Sequence, residues 1–131
     1  MKYMLMMHTP RATAYEIMNW PQSAFKAHID FMKDLNRKLR ESGELVGAEG
    51  LAAPDQAKRV RAGKDGEPIT DGVFPETKEF LAGYWIVDVE TTDRAIAIAA
   101  HASSAPGPSG APLNMSVEVR QVMSGPPPEA C

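Results

Sequence analysis

The segment from residue 22 to residue 42 constrains the fold more than any other, because its pattern predicts a helix with one apolar face. Apolar side chains recur there at spacings of three and four residues, which brings them onto one side of a helix. They are Phe25, Ile29, Met32, Leu35 and Leu39. Ser23 is the expected N-cap, and Gly43 is the expected residue just past the end. Such a helix has to bury its apolar face, so the rest of the chain must supply a second layer.

Short segments rich in apolar, aromatic and β-branched residues predict the strands of that second layer. They span residues 3–7, 45–51, 83–89 and 115–123, and residues 58–61 and 68–70 are expected to pair as a hairpin. A second helix is expected from Asp93 to about residue 102, with Thr91 or Thr92 as its cap and Ile96 and Ala99-Ala100 toward the sheet. This order predicts an α+β fold, a ferredoxin-like β-α-β-β-α-β sandwich.

Two helices on one face of such a sheet leave its other face uncovered. Strand alternation sends Trp85 and Val87 toward the helices and the neighbouring side chains away from them. The opposite face then carries Tyr84, Ile86, Asp88, Glu118, Arg120 and Val122. This mixture fits either a half-solvated sheet with a surface Glu–Arg pair or a face that packs against a second copy of the chain. We expect the second arrangement, a homodimer.

The composition excludes several classes of protein. The 131 residues fit one domain, expected over residues 1–123, followed by a disordered tail over 124–131. The net charge of −3 argues against a nucleic-acid partner, and no apolar run has the roughly 20 residues that a membrane span needs. The lone Cys131 excludes an internal disulfide, and the scattered histidines give no metal-site spacing. No metal, cofactor or secretory leader is indicated, so we expect a cytoplasmic protein.

The segment from Thr70 to Leu81 reads Thr-Asp-Gly-Val-Phe-Pro-Glu-Thr-Lys-Glu-Phe-Leu, and Gly83-Tyr84 follows it. It resembles the signature of the DGPF proteins, a branch of the YCII-related superfamily. Further resemblance lies in Met1-Lys2-Tyr3-Met4, in Gly47-Ala48-Glu49-Gly50-Leu51 and in Val117-Glu118-Val119-Arg120-Gln121-Val122, so it extends from residue 1 to about residue 123. Val73 and Gln121 stand where the family usually has proline, and the loop over residues 105–110 is longer than usual.

The resemblance implies a bacterial protein with a ferredoxin-like fold, dimerised into an αβ barrel with a cavity on the sheet face. It implies no settled function. Relatives often accompany extracytoplasmic-function sigma factors, and one branch of the superfamily resembles dehydrochlorinases that use a His/Asp pair. Because fold analogy is a weak guide to activity, the candidate residues have to be weighed one by one.

The candidate catalytic residues are His28 and Asp71. His28 lies on the apolar stripe of the first helix and resembles a helix histidine of the YCII branch. It is either a core histidine satisfied by a backbone carbonyl or a general base oriented by Asp71 or Glu49. Asp71 precedes a glycine, a pair that also forms turns without any role in chemistry.

The candidate ligand contacts are acidic, aromatic and basic side chains near the expected cavity. Glu49 stands between two small residues in an apolar segment, where either a bulge exposes it or a cavity holds it. Arg120 would pair with an anionic group on a small organic ligand. The full set is Glu49, Glu79, Tyr84, Glu118 and Arg120. We expect a ligand-binding homodimer with cofactor-independent proton transfer, of the isomerase or lyase kind. The alternative is a non-catalytic sensor or an interaction module linked to sigma-factor regulation.

Overall fold

The computed structural model describes residues 1–10, 19–54, 57–71 and 79–125, with only the backbone of Asp71 included. The turn from residue 72 to 78, most of the DGPF-like segment, lies outside the described residues, and so do residues 126–131 of the expected tail. The elements are β1 (Lys2–Pro10), α1 (Gln22–Glu41), β2 (Leu45–Gly50), β3 (Arg59–Ala62), β4 (Pro68–Asp71), β5 (Glu79–Asp88), α2 (Thr92–Ser103) and β6 (Val117–Gln121). This order confirms the predicted α+β class.

Four strands form one antiparallel sheet in the order β2-β5-β1-β6. The unit β1-α1-β2 leaves a gap in the sheet that β5 fills, and the unit β5-α2-β6 leaves a gap that β1 fills. The two β-α-β units are therefore interleaved, and β1 and β5 are the central strands. The predicted hairpin is confirmed as a separate two-stranded sheet of β3 and β4.

The hydrophobic core lies between this sheet and the two helices. Alternate residues of the central strands point into it, and Leu5 and Val87 are fully buried. The alternation of β5 confirms that Trp85 and Val87 face the helices. The sheet and helix residues of the core are Tyr3, Leu5, Met7, Trp85, Val87, Val89, Leu35, Leu39, Ala95, Ile98, Ala99 and Ala102.

Two predictions at the helices were wrong. The helix α1 begins at Gln22 with Pro21 at the N-cap position, so Ser23 lies inside the first turn and is not the cap. The carbonyl of Pro21 accepts a hydrogen bond from the Phe25 amide, which is the first bond of the helix. In α2, Ile96 is 51% exposed and Ala100 is exposed too, because the buried stripe consists of Ala95, Ile98, Ala99 and Ala102.

The other predicted helix ends are confirmed. Gly43 follows α1 with φ of 79°, a left-handed conformation that glycine adopts without steric cost. The side chain of Thr91 caps α2 by accepting a hydrogen bond from the amide of Arg94 at 3.1 Å.

An ion pair joins the start of β2 to the first turn of α2. The guanidinium of Arg94 donates two hydrogen bonds to the carboxylate of Glu44, each at 2.8 Å. This bidentate pairing lowers the pKa of Glu44 from 4.5 to about 2, because it stabilises the charged form. The hydroxyl of Ser42 also donates to this carboxylate.

We predict that Glu44→Gln destabilises the protein by about 1 kcal/mol at neutral pH, since half of the Arg94 side chain faces solvent. The pKa of Glu44 in the folded chain lies below its ordinary value, so the pair stabilises the fold at pH values above that ordinary value. Its contribution is lost as the pH falls toward 2. Urea unfolding across this range measures the difference, with the exposed Glu90→Gln as the control. If Glu44→Gln lowers the free energy of unfolding by the same amount at every pH, the ion pair is not the source of the stabilisation.

Candidate functional site

A cleft of about 810 Å³ lies between α1 and the helix-facing side of the sheet. The side chains and backbone around it come from α1, from the ends of β1, β2 and β5, and from residues 51–54 and 113–115. The volume is in the range of sites that bind small organic molecules. Most of the lining is apolar or aromatic: Met7, Trp20, Phe25, Ile29, Met32, Leu81, Trp85, Leu113 and Met115 belong to it.

The cleft exists because the sheet covers only part of the apolar stripe of α1. In the C-terminal half of the helix, Leu35 and Leu39 are buried in the core. In the N-terminal half, Phe25 is 36% exposed, and Ile29 is only half-buried. Among the described residues, the apolar side chains of that half therefore line the cleft instead of the core.

Among the described residues that line the cleft, His28 is the most deeply buried titratable one, with 7% of its surface exposed. Its Nδ1 lies 3.0 Å from the carbonyl oxygen of Pro106. A carbonyl oxygen only accepts hydrogen bonds, so Nδ1 carries a proton and donates it to Pro106. In the neutral ring, Nε2 is then the nitrogen with a free lone pair. The tautomer is thus fixed by the backbone of a distant loop.

Trp20 packs against the same imidazole. The two rings meet edge-on, with centroids 5.5 Å apart and an interplanar angle of 90°. Trp20 precedes the first residues of α1 and also lines the cleft. The indole therefore shields one side of His28 and helps to hold its ring in place.

A second polar group in the cleft is the amide of Asn36. The indole nitrogen of Trp85 donates a hydrogen bond to Asn36 Oδ1 at 2.7 Å. This bond fixes which end of the amide accepts, so the Nδ2 group with its two N–H donors points away from Trp85. Asn36 lines the cleft together with the exposed Lys33 one turn before it.

The loop after α2 brings two groups to the cleft. The amide of Leu113 bonds to the carbonyl of Ala105, and the amide of Gly107 bonds to Ala111, so the loop is closed by its own backbone. It presents the Pro106 carbonyl to His28 and the Leu113 side chain to the cleft. A Cβ on Gly107 would lie 2.8 Å from the Leu113 side chain, which shows how tightly that side chain packs on the loop.

Comparison with known proteins agrees with this architecture. The YCII-related domain family matches residues 1–106. The chain belongs to the YCII-related domain family. It is similar to an uncharacterized protein of Rhizobium meliloti (strain 1021), with 34% identity over 92 residues, which cover 68% of this chain and 70% of that protein. The strand β6 lies beyond the matched residues, yet it pairs with β1 in the sheet.

The cleft of this YCII-related protein includes only some of the predicted site residues. His28 lines it, and so do Glu49 and Tyr84, which lie opposite each other on β2 and β5. Tyr84 alternates with the core residue Trp85 and pairs with Met6, so its side chain lies on the uncovered face of the sheet, as predicted. Glu49 is exposed and belongs to the cleft lining, and the bulge of β2 lies before it, between Leu45 and Gly47. Glu79 is exposed at the start of β5, outside the cleft lining. Asp71 ends β4 opposite Arg59, and its side chain lies outside the described residues.

Glu118 and Arg120 lie on the uncovered face of the sheet, on the other side from the cleft. Glu118 Oε2 is 3.6 Å from Arg120 Nε, and its other oxygen is 3.6 Å from Nε2 of His8. In the described part of the chain, His8 Nε2 is buried without a hydrogen-bond partner. A single chain therefore does not bring Glu118 and Arg120 together with His28, and their role in ligand binding stays a prediction.

Sequence reasoning missed several polar groups of the cleft. Asn36 gave a readable signal, because it is a polar residue in the middle of the apolar stripe of α1. Lys33 gave no signal except that it lies next to that stripe in the sequence. The acceptor for His28 is a backbone carbonyl, which no side-chain pattern could have assigned to Pro106.

The part of the chain that the structure describes holds no group of three or more His, Cys, Asp or Glu side chains placed to bind a metal ion. Within the same ranges, neither helix combines the length and the apolar character that crossing a membrane requires.

We predict that His28 of this YCII-related protein stays in the Nδ1–H tautomer at neutral pH. The reason is the hydrogen bond from Nδ1 to the Pro106 carbonyl. NMR with ¹⁵N-labelled histidine measures the tautomer directly, because protonated and unprotonated ring nitrogens have well-separated shifts. The exposed His101 serves as the control, with averaged tautomers. A ring of His28 protonated at Nε2 alone would contradict the assignment.

Proposed function

We propose that this YCII-related domain protein binds a small, mostly apolar organic molecule in the cleft between α1 and the sheet. The proposal rests on the position of His28. This buried histidine lines a cleft of about 810 Å³, and the Pro106 carbonyl fixes one of its ring nitrogens as a hydrogen-bond donor. An apolar cleft with a few fixed polar groups is the usual form of a small-molecule site.

The chemistry we propose is proton transfer without a cofactor. The lone pair of His28 Nε2 removes a proton from an activated carbon of the bound molecule, and the C–H electron pair moves into the substrate. The imidazolium formed keeps its hydrogen bond from Nδ1 to Pro106. The proton then returns to another carbon, which is an isomerisation, or the electron pair expels a leaving group, which is an elimination. Asp71 stays a candidate partner in these steps.

Ligand binding without turnover is the second candidate, the sensor or interaction module linked to sigma-factor regulation. One observation favours it: the partner of His28 Nδ1 is a neutral carbonyl. A neutral acceptor stabilises an imidazolium less than a carboxylate does, so His28 has less help as a base. Binding itself requires no base.

Proton transfer predicts exchange of substrate hydrogen with solvent. Compounds that raise the melting temperature are incubated with the protein in D₂O, and NMR measures the replacement of C–H by C–D. We expect His28→Gln to slow this exchange by about 10²-fold or more, because its amide can still donate to Pro106 but cannot take a proton. The control is His101→Gln, which should exchange as the parent protein does.

The exchange experiment also separates the two candidate functions. Exchange that persists unchanged in His28→Gln contradicts the role of His28 as the base. Binding without exchange for every stabilising compound favours the sensor. A melting temperature that no compound changes contradicts ligand binding itself.

We further propose that the uncovered sheet face packs against the same face of a second copy of the chain. Two ferredoxin-like chains would then form a dimeric αβ barrel. The support is the composition of this face. Met4 and Ile86 lie opposite each other at its centre, and both are only half-buried in one chain. An apolar centre with a charged rim is common in interfaces between subunits.

The homodimer predicts that Ile86→Lys produces a monomer at micromolar concentration, because it places a charge at the centre of the interface. Sedimentation equilibrium measures the mass. The control is Ile96→Lys on α2, which is exposed on the helix side and should leave the dimer intact. A parent protein that sediments as a monomer would contradict the proposed pairing.

A further inference from the structure

We infer that the cleft selects monocarboxylates with an apolar body, and that Lys33 and Asn36 hold the carboxylate. This inference rests on the proposed ligand-binding function and names the ligand class. It also names different residues from the Arg120 of the sequence-based hypothesis, which lies on the other side of the sheet.

Lys33 supplies the positive charge at the mouth of the cleft. Among the described residues that line it, Lys33 is the only one with a permanent positive charge. The other lysines near it on α1 are in ion pairs: Lys26 with Asp30 at 2.6 Å, and Lys38 with Asp34 at 3.0 Å. Within the described ranges, Lys33 makes no such pair. An unpaired ammonium group beside an apolar cleft favours a ligand that ends in an anion.

Asn36 supplies oriented donors next to this charge. Its Oδ1 is occupied by the indole N–H of Trp85, so the ligand meets the Nδ2 hydrogens rather than the oxygen. A carboxylate accepts hydrogen bonds and donates none, whereas an ammonium group would present only hydrogens to these donors. Lys33 and Asn36 are three residues apart, a spacing that makes them neighbours on a helix surface.

The distance from these groups to His28 sets the size of the apolar body. Asn36 is eight residues after His28, and at a rise of about 1.5 Å per residue this is roughly 12 Å along the helix. Ile29 and Met32 line the cleft between them. A molecule held by its carboxylate at Lys33 therefore extends along apolar side chains toward His28.

Titration calorimetry with matched probes tests the inference. The first pair is 2-naphthoate and its neutral isostere 2-naphthamide, and the second pair is decanoate and decanamide. The first pair has an aromatic body and the second an aliphatic one, so the comparison also shows which kind of body the cleft accepts. We expect the parent protein to bind one carboxylate about tenfold tighter than the matching amide, the usual size of one charge-assisted hydrogen bond. Lys33→Met should remove this preference, and Lys38→Met, on the other side of α1, should retain it.

A second variant isolates the Asn36 donors without disturbing the packing. Asn36→Asp keeps an oxygen for the Trp85 N–H but replaces the donor group with a charged oxygen. We expect it to weaken carboxylate binding at least about tenfold and to leave amide binding equal or stronger. The melting temperature of each free variant reports whether it is folded.

The outcomes distinguish this inference from the function on which it rests. Loss of the carboxylate preference in Lys33→Met and Asn36→Asp, but not in Lys38→Met, supports it. Equal binding of carboxylates and amides by the parent protein overturns the selectivity and leaves ligand binding intact. A parent protein that binds neither member of either pair overturns the inference, and ligand binding itself fails only if a wider set of neutral and charged compounds also leaves the melting temperature unchanged.

Discussion

The incomplete cover of one amphipathic helix determines where this protein can bind a ligand. The four-stranded sheet buries the C-terminal half of the apolar stripe of α1, through Leu35 and Leu39, but not the N-terminal half. Apolar side chains such as Phe25 and Ile29 stay partly exposed, although burial of each would stabilise the fold by about 2 kcal/mol. A ligand in the cleft would recover part of this burial. The helix and the sheet thus pack against each other along only part of their length, and the cleft between them is the candidate site.

The loop that follows α2 gives this cleft its chemical character. Without the Pro106 carbonyl, the His28 imidazole could adopt either neutral tautomer, and a ligand would meet a donor or an acceptor. The hydrogen bond at 3.0 Å removes that choice. The same loop carries Leu113 into the cleft, so changes in its length or its glycines would alter the pocket shape and the state of His28 together. This coupling is why a backbone segment without functional side chains matters to the site.

Much of the fold could be predicted from the sequence, because it follows from periodicity. The stripe of α1, the alternation of β5 and the cap at Thr91 are local patterns, and all are confirmed. The start of α1 at Gln22 was predicted but its cap was not, because Ser23 is a good cap by residue type while Pro21, two residues before it, holds the N-cap position. The placement of Ile96 failed because α2 is alanine-rich, so its pattern does not mark a unique buried face.

The site could be predicted less well than the fold, because it joins residues that are far apart in the chain. Alternation correctly put Glu118 and Arg120 on the uncovered face, but the cleft of a single chain lies on the other side of the sheet. His28 was identified as a candidate, and its hydrogen bond to Pro106 agrees with one of the two alternatives, a histidine satisfied by a backbone carbonyl. That bond spans 78 residues, and no local pattern could have indicated it.

The methionine methyl groups offer the most direct test that the cleft is the ligand site. Met7, Met32 and Met115 line the cleft, whereas Met4 and Met6 lie on the opposite face of the sheet. NMR spectra of protein with ¹³C-labelled methionine methyls are recorded during titration with 2-naphthoate. We predict shifts of the methyl signals of the three cleft methionines, with those of Met4 and Met6 unchanged. Shifts confined to Met4 and Met6 would contradict it and would place the ligand on the uncovered face.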